Sequence, residues 1–114
     1  AAAEQDPSDD RAAYYLRLAQ DQAKHGTEAT SRFREGVRAY EAGDLNAAAD
    51  AFARATEANG EYAEAWAWRG RMAFEQNRFA DAEAHYRRAS EINPDNAAYA
   101  YYANQARIRG GAGD

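Results

Sequence analysis

Shifted by 34 residues, the chain lies over itself: Gly36 falls on Gly70, Ala39 on Ala73, Tyr40 on Phe74, Leu45 on Phe79, Ala48 on Ala82, Phe52 on Tyr86 and Ala55 on Ala89. Charge follows size. Arg54 meets Arg88, Glu57 meets Glu91, Glu41 meets Glu75, and the turn pair Gly43-Asp44 lies over Asn77-Arg78. A unit of this length is one supersecondary element that cannot bury its apolar face alone, so the chain must build a stack in which each unit packs on its neighbours.

Each unit divides into two helical patterns. Trp66, Gly70, Ala73, Phe74 and Asn77 recur at helical spacing in the first half of the second unit, and Phe79, Ala82, Tyr86 and Ala89 do so in its second half. Gly43-Asp44 and Asn77-Arg78 supply residues that tolerate a left-handed backbone where the first helix must stop and reverse. Composition agrees. The chain holds 31 Ala but three Leu, two Ile, one Val and two Pro, a stock that favours helices over strands. The expected class is all-α.

Several chemistries are excluded or disfavoured by residue type. With no Cys there is no disulfide framework, thiolate metal site or cysteine nucleophile. The net charge of −5, with 14 basic residues dispersed among 19 acidic ones, argues against nucleic acid or an anionic membrane as partner. No apolar run approaches a membrane span. Of the two His, His25 reads as a favourable charge at a helix C-terminus and His85 as a helix-surface residue. Asp81, Glu83 and His85 lie two apart along a helix and diverge, so they are not a metal triad. Asp9-Asp10 reads as a first-turn charge pair, and no nucleotide-binding or nucleophile motif is present. The chain is therefore read as non-enzymatic, with no cofactor and no metal.

The unit Trp66-x2-Arg69-Gly70-x2-Ala73, followed by Ala82-x3-Tyr86-x2-Ala89 and Pro94, resembles a tetratricopeptide repeat. The resemblance is strongest over 63–96. The unit 29–62 keeps Gly36, Ala48, Phe52 and Ala55 but departs elsewhere: Arg32 replaces the large apolar residue, Glu35, like Arg69 of the second unit, stands where Leu is usual, and Gly60 stands in for Pro. The resemblance implies a right-handed α-solenoid of antiparallel helix pairs, about six helices in all.

Two repeats need completion. Residues 1–27 read as an N-terminal segment and capping helix, starting near Pro7 with an acceptor at Asp6, bearing Ala12, Tyr15, Leu16, Ala19 and Ala23 on one face, and ended by Gly26. Residues 97–109 read as a C-terminal capping helix and 110–114 as a disordered tail. Tyr14, Tyr15, Tyr99, Tyr101 and Tyr102 are the aromatic material for closing the stack, either within one chain or with a second copy.

The resemblance also implies protein–protein binding in a concave groove lined by the first helix of each repeat. Mapped onto this chain, that face holds Phe33, Val37 and Tyr40, then Trp68, Arg71 and Phe74, then Tyr101, Tyr102 and Gln105. Such an apolar face is either occupied by a partner or covered by the chain itself. Trp68, Arg71 and Gln105 are the stronger candidates for partner contact, Phe33, Val37 and Phe74 the stronger candidates for internal packing, and Trp66 reads as core. The Lys and Asn of a carboxylate-clamp co-chaperone are replaced by Phe33, Val37 and Arg71, which sets that subclass aside. The expected partner is a protein or peptide, with the chain as adaptor or scaffold; the alternative is a self-associating assembly protein whose terminal helices complete the stack as a homo-oligomer. Abundant Ala and Arg suggest a bacterial source. Ala1 at the first position, with small residues around it, leaves a periplasmic chain freed of a signal peptide and a cytoplasmic one equally open.

Overall fold

The computed structural model describes residues 2–111, with side chains from Ala12 onward. Six helices follow one another: α1 (Ala2–His25), α2 (Thr27–Glu41), α3 (Leu45–Ala58), α4 (Ala63–Glu75), α5 (Phe79–Ile92) and α6 (Ala97–Gly111). No strand occurs among the described residues. The pairs α2/α3 and α4/α5 are the two repeats, α3 packs on α4, α5 packs on α6, and the body measures 63 × 28 × 25 Å.

The turns inside each pair follow from backbone chemistry. Gly43 has φ 84° and Asn77 φ 62°, the left-handed region that glycine and asparagine enter at low cost, and each reverses the chain in a few residues. Asp44 then caps α3, its carboxylate accepting from the Ala47 N–H at 3.0 Å. Between repeats, Asn59 does two jobs: its side chain oxygen accepts from the Glu61 N–H and its Nδ2 donates to the His25 carbonyl, tying the end of α1 to the α3–α4 turn.

The two helices of each repeat touch where the repeat has glycine. A β-carbon on Gly36 would stand 2.6 Å from the Phe52 ring, and one on Gly70 would stand 2.7 Å from the Tyr86 ring, so the aromatic of the second helix lies flat on the bare backbone of the first. Phe52, Tyr62 and Met72 are the largest apolar side chains fully removed from solvent, each worth about 1.5–3 kcal/mol of burial. Buried alanines fill the remaining helix contacts.

Polar residues at positions that the family usually fills with apolar ones find partners instead. Arg32 pairs with Glu35 at 3.4 Å. Arg69, half-buried, lies over the Trp66 ring at 4.9 Å and donates to Thr56 Oγ1 at 3.1 Å, linking the second repeat to the first. Burial lowers the Arg69 pKa.

The ends of the stack differ from the sequence reading. Helix α1 begins at Ala2, not near Pro7, because the preceding run of Ala, Glu and Gln is itself strongly helix-forming; the side chains of the expected cap at Asp6 and of Asp9-Asp10 lie outside the described residues. The face expected to cap the stack, Ala12, Tyr15, Leu16, Ala19 and Ala23, is exposed throughout. Instead α1 meets α2 through Tyr14, whose hydroxyl is bonded to Arg34 with the guanidinium over its ring, while His25 at its end stacks on Tyr62. Helix α6 runs to Gly111, through two glycines expected in the tail, with Gly110 lying close to the Cβ of Phe79; residues 112–114 lie outside the described residues. At the position of α6 equivalent to Gly36 and Gly70 stands Asn104, whose side chain accepts from Arg107 at 2.7 Å.

Candidate functional site

The first-helix face of each repeat carries the residues mapped from the sequence, and the structure divides them into two groups. Phe33, Val37, Tyr40 and Trp68 form a packed aromatic band at the junction of the repeats. The Phe33 ring lies 5.6 Å from Phe52 and 5.0 Å from Tyr62, Val37 packs on the Phe52–Met72 cluster, and Trp68 stacks on Phe52 at 5.1 Å while meeting Tyr40 edge-on at 5.2 Å. All four are half-buried. Trp68, taken from the sequence as a partner contact, is spent largely on joining the two repeats.

Arg71, Phe74, Tyr101, Tyr102 and Gln105 come together elsewhere, with Glu75 and Tyr86, around a cleft of about 440 Å³ between α4 and α6. The floor is Tyr86, buried at 7% exposure, its ring 5.4 Å from that of Tyr102. Burial pushes the Tyr86 hydroxyl up to about 12. Phe74 forms one wall, edge-on to Phe79 at 5.1 Å, with the Arg109 guanidinium over both rings. Tyr101 and Tyr102 form the opposite wall and remain half exposed.

The polar rim is a three-residue arrangement across the repeat junction. Glu75 Oε2 accepts from Arg71 Nε at 3.0 Å and from the Tyr40 hydroxyl at 3.0 Å. Arg71 also lies over the rings of Tyr40 (4.9 Å) and Trp68 (5.2 Å). The Glu75 hydrogen bond raises the Arg71 pKa, so the side chain is a fixed cation. The carboxylate uses its Nε, and Arg71 borders the cleft.

Sequence reasoning set Tyr86 on the apolar stripe of the second helix and did not see it as the cleft floor. The signal was there: Tyr86 falls 34 residues after Phe52, but Phe52 is sealed at 0% exposure beneath the second repeat, whereas Tyr86 faces Tyr102 of α6 and borders the cleft. Arg109 was also missed, since the reading ended the structured helix at its position.

Both histidines depart from their expected roles. His25 stacks on Tyr62 at 3.8 Å with planes 7° apart, and burial, then Lys24, lowers its pKa, which disfavours the helix-end charge expected of it. His85 is half-buried beside Trp66, and burial followed by the Arg69 charge pulls its pKa down to about 4. Trp66 is itself half-buried, covering the Ala63–Ala89–Tyr99 cluster and donating its indole N–H to the Gly60 carbonyl at 2.8 Å. Among the described residues no three His, Asp or Glu side chains gather as metal ligands, and no helix is long and apolar enough to cross a membrane.

Residues 33–97, which include both glycine–aromatic contacts and the Tyr40–Glu75 junction, match the tetratricopeptide repeat profile. The chain belongs to the tetratricopeptide repeat family. No curated protein matches it. Tetratricopeptide repeats generally mediate protein–protein interaction, and the α4–α6 cleft lies on the first-helix face of this tetratricopeptide stack.

Proposed function

We propose that the cleft between α4 and α6 binds a segment of a protein partner and that the chain serves as an adaptor or scaffold. One observation carries the reading: three helices converge Phe74, Tyr86, Tyr101 and Tyr102 on one open cleft whose rim holds an arginine. Aromatic rings and arginine are the residues that concentrate binding energy at interfaces, and the cleft volume suits one or two partner side chains. The rim is held in place before binding, because Glu75 and Tyr40 fix Arg71, so little side-chain freedom is lost when a partner arrives. The neighbouring band of Phe33, Val37, Tyr40 and Trp68 extends the same face toward the first repeat and supports a longer segment.

The test compares tagged wild-type chain with an Arg71→Ala, Tyr102→Ala variant in capture from native extract. Both substitutions are at exposed positions, and circular dichroism checks that the helices persist. The proposal expects proteins retained by the wild type and lost by the variant. Equal capture by both chains would refute it.

A further inference from the structure

We infer that the cleft between α4 and α6 selects an acidic partner segment, in which a large apolar side chain enters the cleft and a glutamate or aspartate two residues along pairs with Arg109. The inference rests on the groove reading above and names the chemistry of its partner.

The polar groups around the cleft differ in what they demand of a ligand. Tyr86, Tyr101 and Tyr102 bring hydroxyls and Gln105 an amide, groups that donate and accept alike and so set no sign of charge. Arg71 and Glu75 offset one another, the carboxylate accepting from Arg71 and from the Tyr40 hydroxyl. Arg109 is different, because a guanidinium only donates. It stands one turn past Gln105 on α6, with its guanidinium 5.5 Å from the centre of the Phe74 ring that walls the cleft and 5.4 Å from that of Phe79.

The two rings position this cation, and no acid neutralises it. Among the described residues, ion pairs engage Arg32, Arg54, Arg71, Arg78, Arg87 and Arg88, but not Arg109. Helix α6 has no acidic residue, and its other charge, Arg107, is bonded to Asn104. A chain of net charge −5 therefore presents an unpaired cation where its aromatic cleft meets α6. A carboxylate complements it, having two oxygens that match the fork of a guanidinium.

Spacing ties the acid to the apolar side chain. Residues one turn apart on a helix lie about 5–6 Å apart, and alternate side chains of an extended segment repeat at roughly 6.6 Å. A segment laid along α6 with its apolar side chain beside Gln105 thus brings the side chain two residues on to Arg109. The acid is a side chain and not a chain end, since terminal carboxylates are caught by free backbone N–H groups. Here the walls are helix interiors, whose N–H groups are already committed.

Titration of the isotope-labelled full chain with acetylated, amidated tripeptides, followed by nuclear magnetic resonance, tests the inference. Phe-Ala-Glu should bind with the millimolar affinity of so small a ligand. It should shift the Arg109 Nε–H signal and the backbone amides of Phe74 and Gln105. Phe-Ala-Gln should bind about three- to tenfold more weakly, and Ala-Ala-Glu should leave these signals unmoved. In Arg109→Gln the two phenylalanine peptides should bind equally, and Phe-Ala-Gln binding at its wild-type strength shows that the variant keeps its fold. Equal binding of the two by the wild type, or a preference that survives in Arg109→Gln, would overturn the inference and leave the groove reading in place. So would binding of Ala-Ala-Glu, or of Phe-Ala-Ala with a free terminal carboxylate, as tight as that of Phe-Ala-Glu. If no tripeptide moves the cleft signals the inference falls, and the groove reading falls with it only if the Arg71→Ala, Tyr102→Ala variant also keeps every protein that the wild type captures.

Discussion

The ring of Tyr86 rests on the backbone of Gly70 so closely that a β-carbon there would stand 2.7 Å from it, and Phe52 rests on Gly36 in the same way 34 residues earlier. These two contacts set the spacing of each helix pair. Gly70→Ala should therefore destabilise the fold by about 1–3 kcal/mol through overpacking, outweighing the roughly 0.5–1 kcal/mol that alanine gains over glycine inside a helix. Gly111→Ala meets nothing within 4 Å and should be neutral or slightly stabilising. Urea unfolding of the two variants beside wild type measures the contrast.

The Tyr40 hydroxyl reaches Glu75 across the junction of the repeats, a bond spanning 35 residues of sequence. Its loss in Tyr40→Phe should cost no more than about 1 kcal/mol, because the site is exposed and the bond competes with water. Tyr40→Phe and Glu75→Ala should be non-additive in a double-mutant cycle, since each removes the same bond. Additive effects would mean that the rim is not a connected unit.

The fold was legible in the sequence because its determinants are periodic: a glycine facing an aromatic, and a turn residue tolerating positive φ, recur at one interval. The groove was legible as a face and illegible as a site. Trp68 and Phe33 share the helical stripe of Arg71 and Phe74, and spacing on one helix cannot show that Phe52 of α3 reaches the first pair while the second pair opens on α6. The face of α1 was misplaced for a related reason: Ala12, Tyr15, Leu16, Ala19 and Ala23 lie exposed although α1 packs on α2. Spacing along one helix marks an apolar stripe but not which neighbouring element, if any, packs on it. The histidines were misread because stacking on Tyr62 or Trp66 depends on residues far away in sequence.

His85 links stability to pH. Its pKa near 4 in the folded chain lies below the ordinary value of 6.5, so between these limits the unfolded chain binds the extra proton and the folded chain resists it. Stability should be complete above about pH 6.5 and fall as pH drops toward 4, with His25 contributing in the same direction. The His85 contribution is on the order of 1 kcal/mol after allowance for solvent screening of a half-buried ring. Thermal unfolding of His85→Gln beside wild type should show a shallower decline over that window.

The most direct test of the binding groove is site-specific photo-cross-linking. A benzophenone side chain placed at Gln105 lies in the cleft, and one at Arg54 lies on an exposed part of α3 outside it. Irradiation in native extract should yield protein adducts from position 105, whether with a second copy or another chain, and few or none from position 54. Adducts from position 54 alone, or equal labelling from both positions, would contradict the assignment of the α4–α6 cleft as the binding site.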